Sequence, residues 1–228
     1  MNFDGFALMP YDNSKETIAV HAYCTLQDTH IPCKIFYNWK DIPDTFVPVG
    51  TVEWCLKILK KKIVPDYYPD FLNHTLYRNI WKTNEWPLGH KVFIKPADKY
   101  KRFTGFVTSG TYKKKKRGPF ICSDVIAFNN EWRYYIANGK VLAAEWYWGD
   151  ETNTPPAPRL EDFGIIFPEN FSCAADFGIL KTGQFALVEV QHPFSCGWYG
   201  VGTKTGCKYV EWLVNGWQYM KDLVSNVN

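Results

Sequence analysis

The stretch "AADFGILKTGQFALVEVQHP", Ala174 to Pro193, decides the fold. It reads as two apolar strands joined at Thr182-Gly183, a favoured turn pair. A hairpin centred between those two residues sets Asp176 opposite Glu189, with Gln191 one step further along the second strand. Period-two alternation puts Phe185, Leu187, Glu189 and Gln191 on one face and Ala186, Val188 and Val190 on the other. A carboxylate among apolar neighbours is costly unless a cation or donors meet it. Two carboxylates and an amide oxygen on paired strands form a hard donor set that suits Mg²⁺, so Asp176, Glu189 and Gln191 are the candidate metal ligands. A solvated hairpin edge is the alternative.

Upstream, "NEWRYYI" sets Glu131 and Arg133 on one face of a strand, with Trp132 and Tyr134 on the other. An acid and a guanidinium side by side suit a ribose hydroxyl and a phosphate oxygen; a surface ion pair is the plain alternative. The hairpin "EWRYYIANGKVLAAEWYW" turns at Asn138-Gly139. "KVFIKP" is a short strand that ends at Lys95 and Pro96, where a lysine can point off the sheet toward an anion. "FVTSGTYKKKKRGPFICSDVIAF" reads as strand, turn, strand, with the basic run Lys113 to Arg117 at the turn.

The first 85 or so residues read as a small mixed α/β unit. Its clearest helix is in "VPVGTVEWCLKILKKK", where Val52, Cys55, Leu56 and Leu59 recur at helical spacing. A second helix is expected near Leu72 to Trp81, with Asn73 as its cap. The closing segment "KYVEWLVNGWQYMKDLV" reads as a helix interrupted at Gly216. The acid-bearing loop "WYWGDETNTPPAPRLEDFG", with Asp150, Glu151, Glu161 and Asp162, is expected to help shape an acceptor site for a basic or amine-bearing group.

The 228 residues, 46% hydrophobic with ten tryptophans, are enough for a sizeable core. A net charge of +3 is too small to argue for nucleic acid. The seven cysteines are widely spaced, without a C-x-x-C pair or zinc spacing, which favours reduced thiols. The start "MNFDGFALMPYD" lacks a basic n-region, and no apolar run approaches membrane-spanning length. A soluble, cytoplasmic protein is expected. Any cysteine could meet any histidine in space, but no local motif supports a nucleophile pair.

The order of lysine strand, acid-x-arginine strand, Asp strand and Glu-x-amide strand resembles the ATP-grasp superfamily. "VFIKP" is similar to its first central strand, "SDVIAFNNEWRYYIANGKVLAAEWY" to its adenine linker and ribose strand, and "AADFGILKTGQFALVEVQHP" to its metal-binding hairpin. The small size, "GFVTSG" and "VPVGTVEW" resemble the RimK-related, phage-associated branch. The resemblance implies an α+β ATP-grasp fold with two α/β subdomains closing on a nucleotide in residues 87–228, preceded by an N-terminal α/β unit in residues 1–86. It implies a ligase that uses ATP and Mg²⁺ to join a carboxylate to an amine on a peptide, protein or amino-acid-like substrate, with no membrane or nucleic-acid partner.

On the matching positions, Lys95 holds the nucleotide phosphates and Glu131 the ribose, while Ser123, Asp124 and Val125 flank adenine. Arg133 stabilises charge on the transferred phosphate, and Arg78 is a further candidate cation. Two departures stand out. Gln191 replaces the usual asparagine, which leaves open a protein that binds nucleotide without ligating. "ADKYKRFTG" carries Lys99, Lys101 and Arg102 where small residues are common.

Overall fold

The structure, a computed structural model, describes residues 3–26, 31–98, 102–109, 117–200 and 203–226. Lys99, Lys101 and Lys113 to Lys116, singled out above, lie outside the described residues.

The chain begins with a three-stranded parallel sheet of β1 (Gly5–Leu8), β2 (Cys33–Ile35) and β3 (Phe46–Val49), with β1 in the middle. Parallel neighbours need a crossover, supplied between the first two by helix α1 (Lys15–Leu26). Helix α2 (Val52–Ile58) follows β3; Thr51 caps it by accepting from the Trp54 N–H at 3.3 Å. The helix expected near Leu72 to Trp81 is instead a short 3₁₀ turn, Asp70–Thr75, followed by strand β4 (Ile80–Thr83). Ile80, Trp81 and Thr83 are β-favouring residues, and Asn73 lies inside the turn rather than capping it.

The second sheet is antiparallel. It contains β4, β5 (Val92–Pro96), β6 (Phe106–Thr108) and β7 (Phe120–Asp124) in the order β4-β7-β5-β6. Thus β6 and β7 do not form a hairpin with each other; β5 lies between them. Row pairing puts Lys82, Ile121 and Lys95 in line on one face. Ile94, Phe120 and Cys122 form the core of the other face.

The third sheet carries β8 (Phe128–Ala137), β9 (Lys140–Trp148), β10 (Cys173–Leu180) and β11 (Phe185–Gln191) in the order β11-β10-β8-β9. Asn138 and Gly139 both have positive φ, 50° and 73°, the backbone of a tight hairpin turn. One face of this sheet packs Trp132, Tyr134, Phe177 and Leu187 against Leu160, Ile165 and Phe167. The loop after β9 is tied down on that face: the Trp132 indole donates to the Pro155 carbonyl and the Tyr134 hydroxyl to that of Pro158.

Helix α3 (Thr203–Ser225) runs unbroken for 23 residues through Gly216. Gly216 is required there because a Cβ would overlap Pro193. Through Trp212, Leu213 and Trp217, α3 joins one core with Phe6 and Val47 of the first sheet and Tyr135 and Ala174 of the third. Among the described residues, no helix is long and apolar enough to cross a membrane.

Candidate functional site

The third sheet carries a row of four charged residues in register: Glu145 on β9, Arg133 on β8, Asp176 on β10 and Glu189 on β11. The Asp176–Glu189 pairing agrees with the sequence reading, but the face of Glu189 does not. Asp176 pairs with Glu189 while the next residue, Phe177, pairs with Leu187, so Val188 is a one-residue bulge. The bulge breaks the alternation. Phe185 and Leu187 turn into the apolar core with Phe177, and Glu189 and Gln191 turn the other way, beside Asp176. This resolves the cost of an acid in an apolar strand.

Bulged backbone leaves carbonyls to satisfy. Arg78 takes them: its Nη1 donates to the Leu187 carbonyl at 2.7 Å and its Nη2 to that of Val188 at 2.8 Å. The Val190 N–H donates to the Tyr67 carbonyl at 2.9 Å, so the edge of β11 is covered. Arg78 is therefore committed largely to backbone.

Arg133 and Asp176 form a buried, two-pronged pair, Nε to Oδ1 at 2.8 Å and Nη2 to Oδ2 at 2.7 Å. Burial works against the Arg133 charge, but Asp176 outweighs it and raises the guanidinium's hold on its proton. Lys95 comes from the second sheet and reaches across to Glu189, Nζ to Oε2 at 2.6 Å. Its ammonium also lies over the Tyr67 ring, 3.6 Å from the centroid, and over Tyr68 at 4.8 Å. Burial pushes the Lys95 pKa down, yet Glu189 and the two tyrosines together carry it above the ordinary value. The other Glu189 oxygen accepts from Gln191 Nε2 at 2.5 Å.

Lys95, Tyr67, Phe93, Glu189 and Gln191 line a cavity of about 310 Å³ between the two sheets, with buried His192 at its wall. Burial lowers the His192 pKa to about 4, against a small opposing effect of the Ile63 carbonyl, so the ring is neutral at pH 7. A second cavity of about 630 Å³ on the far side of Tyr67 reaches Lys82 and Ile121.

Glu131 lies at the end of the same sheet face and accepts from the Tyr147 hydroxyl. Burial raises its pKa, Tyr147 lowers it, and Asp176 and Glu189 add to the rise. Ser123, Asp124 and Val125 end β7 and begin the link to β8. The Ser123 hydroxyl donates to the Asp124 carbonyl, the Asp124 carboxylate accepts from Asn79, and Val125 is exposed. No hydrogen bond joins these three to Glu131 among the described residues. Arg102 is held by Asp98 at 2.6 Å and by the Arg117 and Pro119 carbonyls. The acid-bearing loop after β9 covers the opposite face of the third sheet from Arg133, which removes it from the acceptor role expected of it.

Sequence reasoning missed Tyr67, Tyr68, Tyr147 and Tyr199. The rings of Tyr147 and Tyr199 stack at 5.2 Å, each 5.4 Å from the Arg133 guanidinium. Tyr147 had a signal, since it follows Glu145 by two on one strand face; Tyr67 and Tyr68 lie in a loop without one.

For a divalent cation, Glu189 and the Gln191 amide oxygen are hard donors at the cavity wall and fit. Both Asp176 oxygens hold Arg133, so Asp176 fits only if that pair loosens. Among the described residues, no three His, Cys, Asp or Glu side chains cluster as a metal site.

A family model described as an ATP-grasp domain, the second family of its clade, matches residues 71–208. No curated protein matches in sequence. Among solved structures, the chain is similar to the ATP-grasp ligase PsnB complexed with minimal precursor, at 8% identity and a TM-score of 0.51, over 92% of this chain and all of that one. It is also similar to D-alanine–D-alanine ligase from Bacillus anthracis complexed with ATP, at 9% identity and a TM-score of 0.48, over 96% of this chain and 98% of that one. A third likeness is to N5-carboxyaminoimidazole synthase from Aspergillus clavatus, at 12% identity and a TM-score of 0.48, over 97% of this chain and 77% of that one.

Proposed function

The chain belongs to this ATP-grasp domain family, and from that membership we propose that it is an ATP-dependent carboxylate–amine ligase. ATP phosphorylates a carboxylate to an acyl phosphate and ADP; an amine displaces phosphate to leave an amide. The observation that carries this reading is Lys95 reaching from one sheet to Glu189 on the other, across a cavity and in register with Asp176 and Arg133. In the empty cleft these charges neutralise one another. Lys95 leaving Glu189 for a phosphate oxygen frees that carboxylate for Mg²⁺, which would be held by Glu189 and Gln191, with Asp176 joining on release from Arg133. Mg²⁺ there would neutralise phosphate charge.

The remaining roles follow from position. Glu131, pinned by Tyr147, serves the ribose, and Ser123, Asp124 and Val125 flank the adenine. Arg133 serves the charge that develops on phosphate and oxyanion. Arg78 acts through the bulge carbonyls. The proposed division remains an N-terminal unit of residues 1–86 and an ATP-grasp unit of residues 87–228, with β4 reaching across it into the second sheet. "GFVTSG" and "VPVGTVEW" support a RimK-related, phage-associated assignment, and the reduced thiols a cytoplasmic one. The carboxylate and amine partners are amino-acid-like, peptide or protein.

One observation favours a second reading. Gln191 turns its amide nitrogen, not its oxygen, to Glu189, which would suit a protein that binds nucleotide without ligating. ADP and phosphate release from Mg·ATP, with a panel of amino acids and short peptides, tests the choice. Panel-dependent release that vanishes in Glu189→Ala supports the ligase; ATP binding with no release under any condition supports the second reading.

A further inference from the structure

The charged row of the third sheet is balanced except at one end. Arg133 is matched by Asp176, and Glu189 by Lys95 and Gln191. Glu145, next to Arg133 across the β8–β9 ladder, has no hydrogen-bond or ion-pair partner among the described residues. It is half-buried, and burial alone raises its pKa. An acid in that setting is stabilised by a cation.

The surroundings favour an ammonium over a metal. The Glu145 carboxylate lies against Gly200, where a Cβ would come within 2.9 Å of its Oε1, so the backbone leaves it room. Next along the chain is Tyr199, whose ring already carries an ammonium: the Lys15 Nζ, from the start of α1, lies 4.6 Å from its centroid. Tyr147, two residues from Glu145, stacks on the same ring. Carboxylate plus aromatic face is the combination that recognises a primary ammonium, and no second acid is at hand for a divalent ion.

We propose that Glu145 and Tyr199 form the acceptor-amine subsite, binding a primary ammonium one strand from Arg133. Neighbouring strands lie about 4.8 Å apart, so the bound nitrogen stands near the guanidinium that serves the reacting phosphate. This proposal rests on the ligase reading and specifies its amine partner as a cationic primary amine, with Lys15 in its place when the subsite is empty.

The test is an NMR titration of the full chain with n-butylammonium and, as the uncharged control, n-butanol. Butylammonium alone is expected to shift the Tyr199 and Gly200 signals. Glu145→Gln is expected to weaken its binding about tenfold or more, and Glu145→Asp to restore part of the loss, with backbone spectra showing each variant folded. Equal binding of the two probes, or wild-type affinity in Glu145→Gln, overturns the subsite. The outcomes separate from those of the ligase reading: amine binding that follows Glu145 without any amine-stimulated ADP release counts against the ligase alone. Amine-stimulated release with the same amine KM in Glu145→Gln counts against the subsite alone.

Discussion

Arg78 donates to the carbonyl of Val188 at 2.8 Å, on the bulge that turns Glu189 out of the apolar core. A residue on the loop before β4 thereby sets which face of β11 carries the acid.

Replacing Arg78 with leucine removes its bonds to the Leu187 and Val188 carbonyls. Hydrogen bonds to charged groups contribute about 1.5–3 kcal/mol, and a loss in that range is expected in urea unfolding. Amide exchange is expected to speed up at Val188 and Glu189 while β8 and β10 stay protected. Uniform exchange throughout the sheet would count against a local role.

Asp176→Asn leaves Arg133 buried without its full counter-charge. Breaking such a pair costs about 3–5 kcal/mol. The joint change Arg133→Met plus Asp176→Leu is expected to recover part of that stability in the same urea measurement, while abolishing activity. A joint variant no more stable than Asp176→Asn would argue against the buried charge as the cause.

Gly216→Ala separates helix propensity from packing. In a free helix alanine is favoured over glycine by about 0.8–1.0 kcal/mol. Here the added Cβ meets Pro193, and overpacking costs about 1–3 kcal/mol. A lower melting temperature than the wild type is expected; a higher one would mean that Pro193 yields freely.

Thiol labelling at neutral pH is expected to follow environment. Cys24 is partly exposed, and its hydrogen bond with Cys33 lowers its pKa, so it is expected to react first. Burial pushes the Cys55 thiol up to about 12, and Cys173 is raised by burial as well. Both are expected to stay unlabelled until the chain unfolds, as mapped by mass spectrometry with iodoacetamide. Early labelling of Cys55 would contradict its buried place at α2.

The Asp176–Glu189 register was legible because a two-residue turn fixes the centre of a hairpin. Asn138-Gly139 located the β8–β9 hairpin in the same way. The bulge at Val188 was not legible: period-two alternation runs straight through "FALVEVQ", and the cause of the break, Arg78, is 110 residues away. Helix α1 escaped notice because its apolar residues form no stripe along one face. Gly216 reads locally as a break, and only its contact with Pro193 explains why a glycine continues the helix. The tyrosines around Lys95 and Arg133 come from three separate segments, which no single motif joins.

The central claim is that the cleft between Lys95 and Glu189 binds Mg·ATP. Calorimetric titration of ATP, with and without Mg²⁺, into the wild type, Lys95→Ala and Glu189→Ala tests it most directly. Losing a charge-assisted contact of about 1.5–3 kcal/mol weakens binding about tenfold or more. The account expects that loss in Lys95→Ala, and in Glu189→Ala the loss of any dependence on Mg²⁺. Wild-type affinity in both variants, or no ATP binding by the wild type, would contradict it.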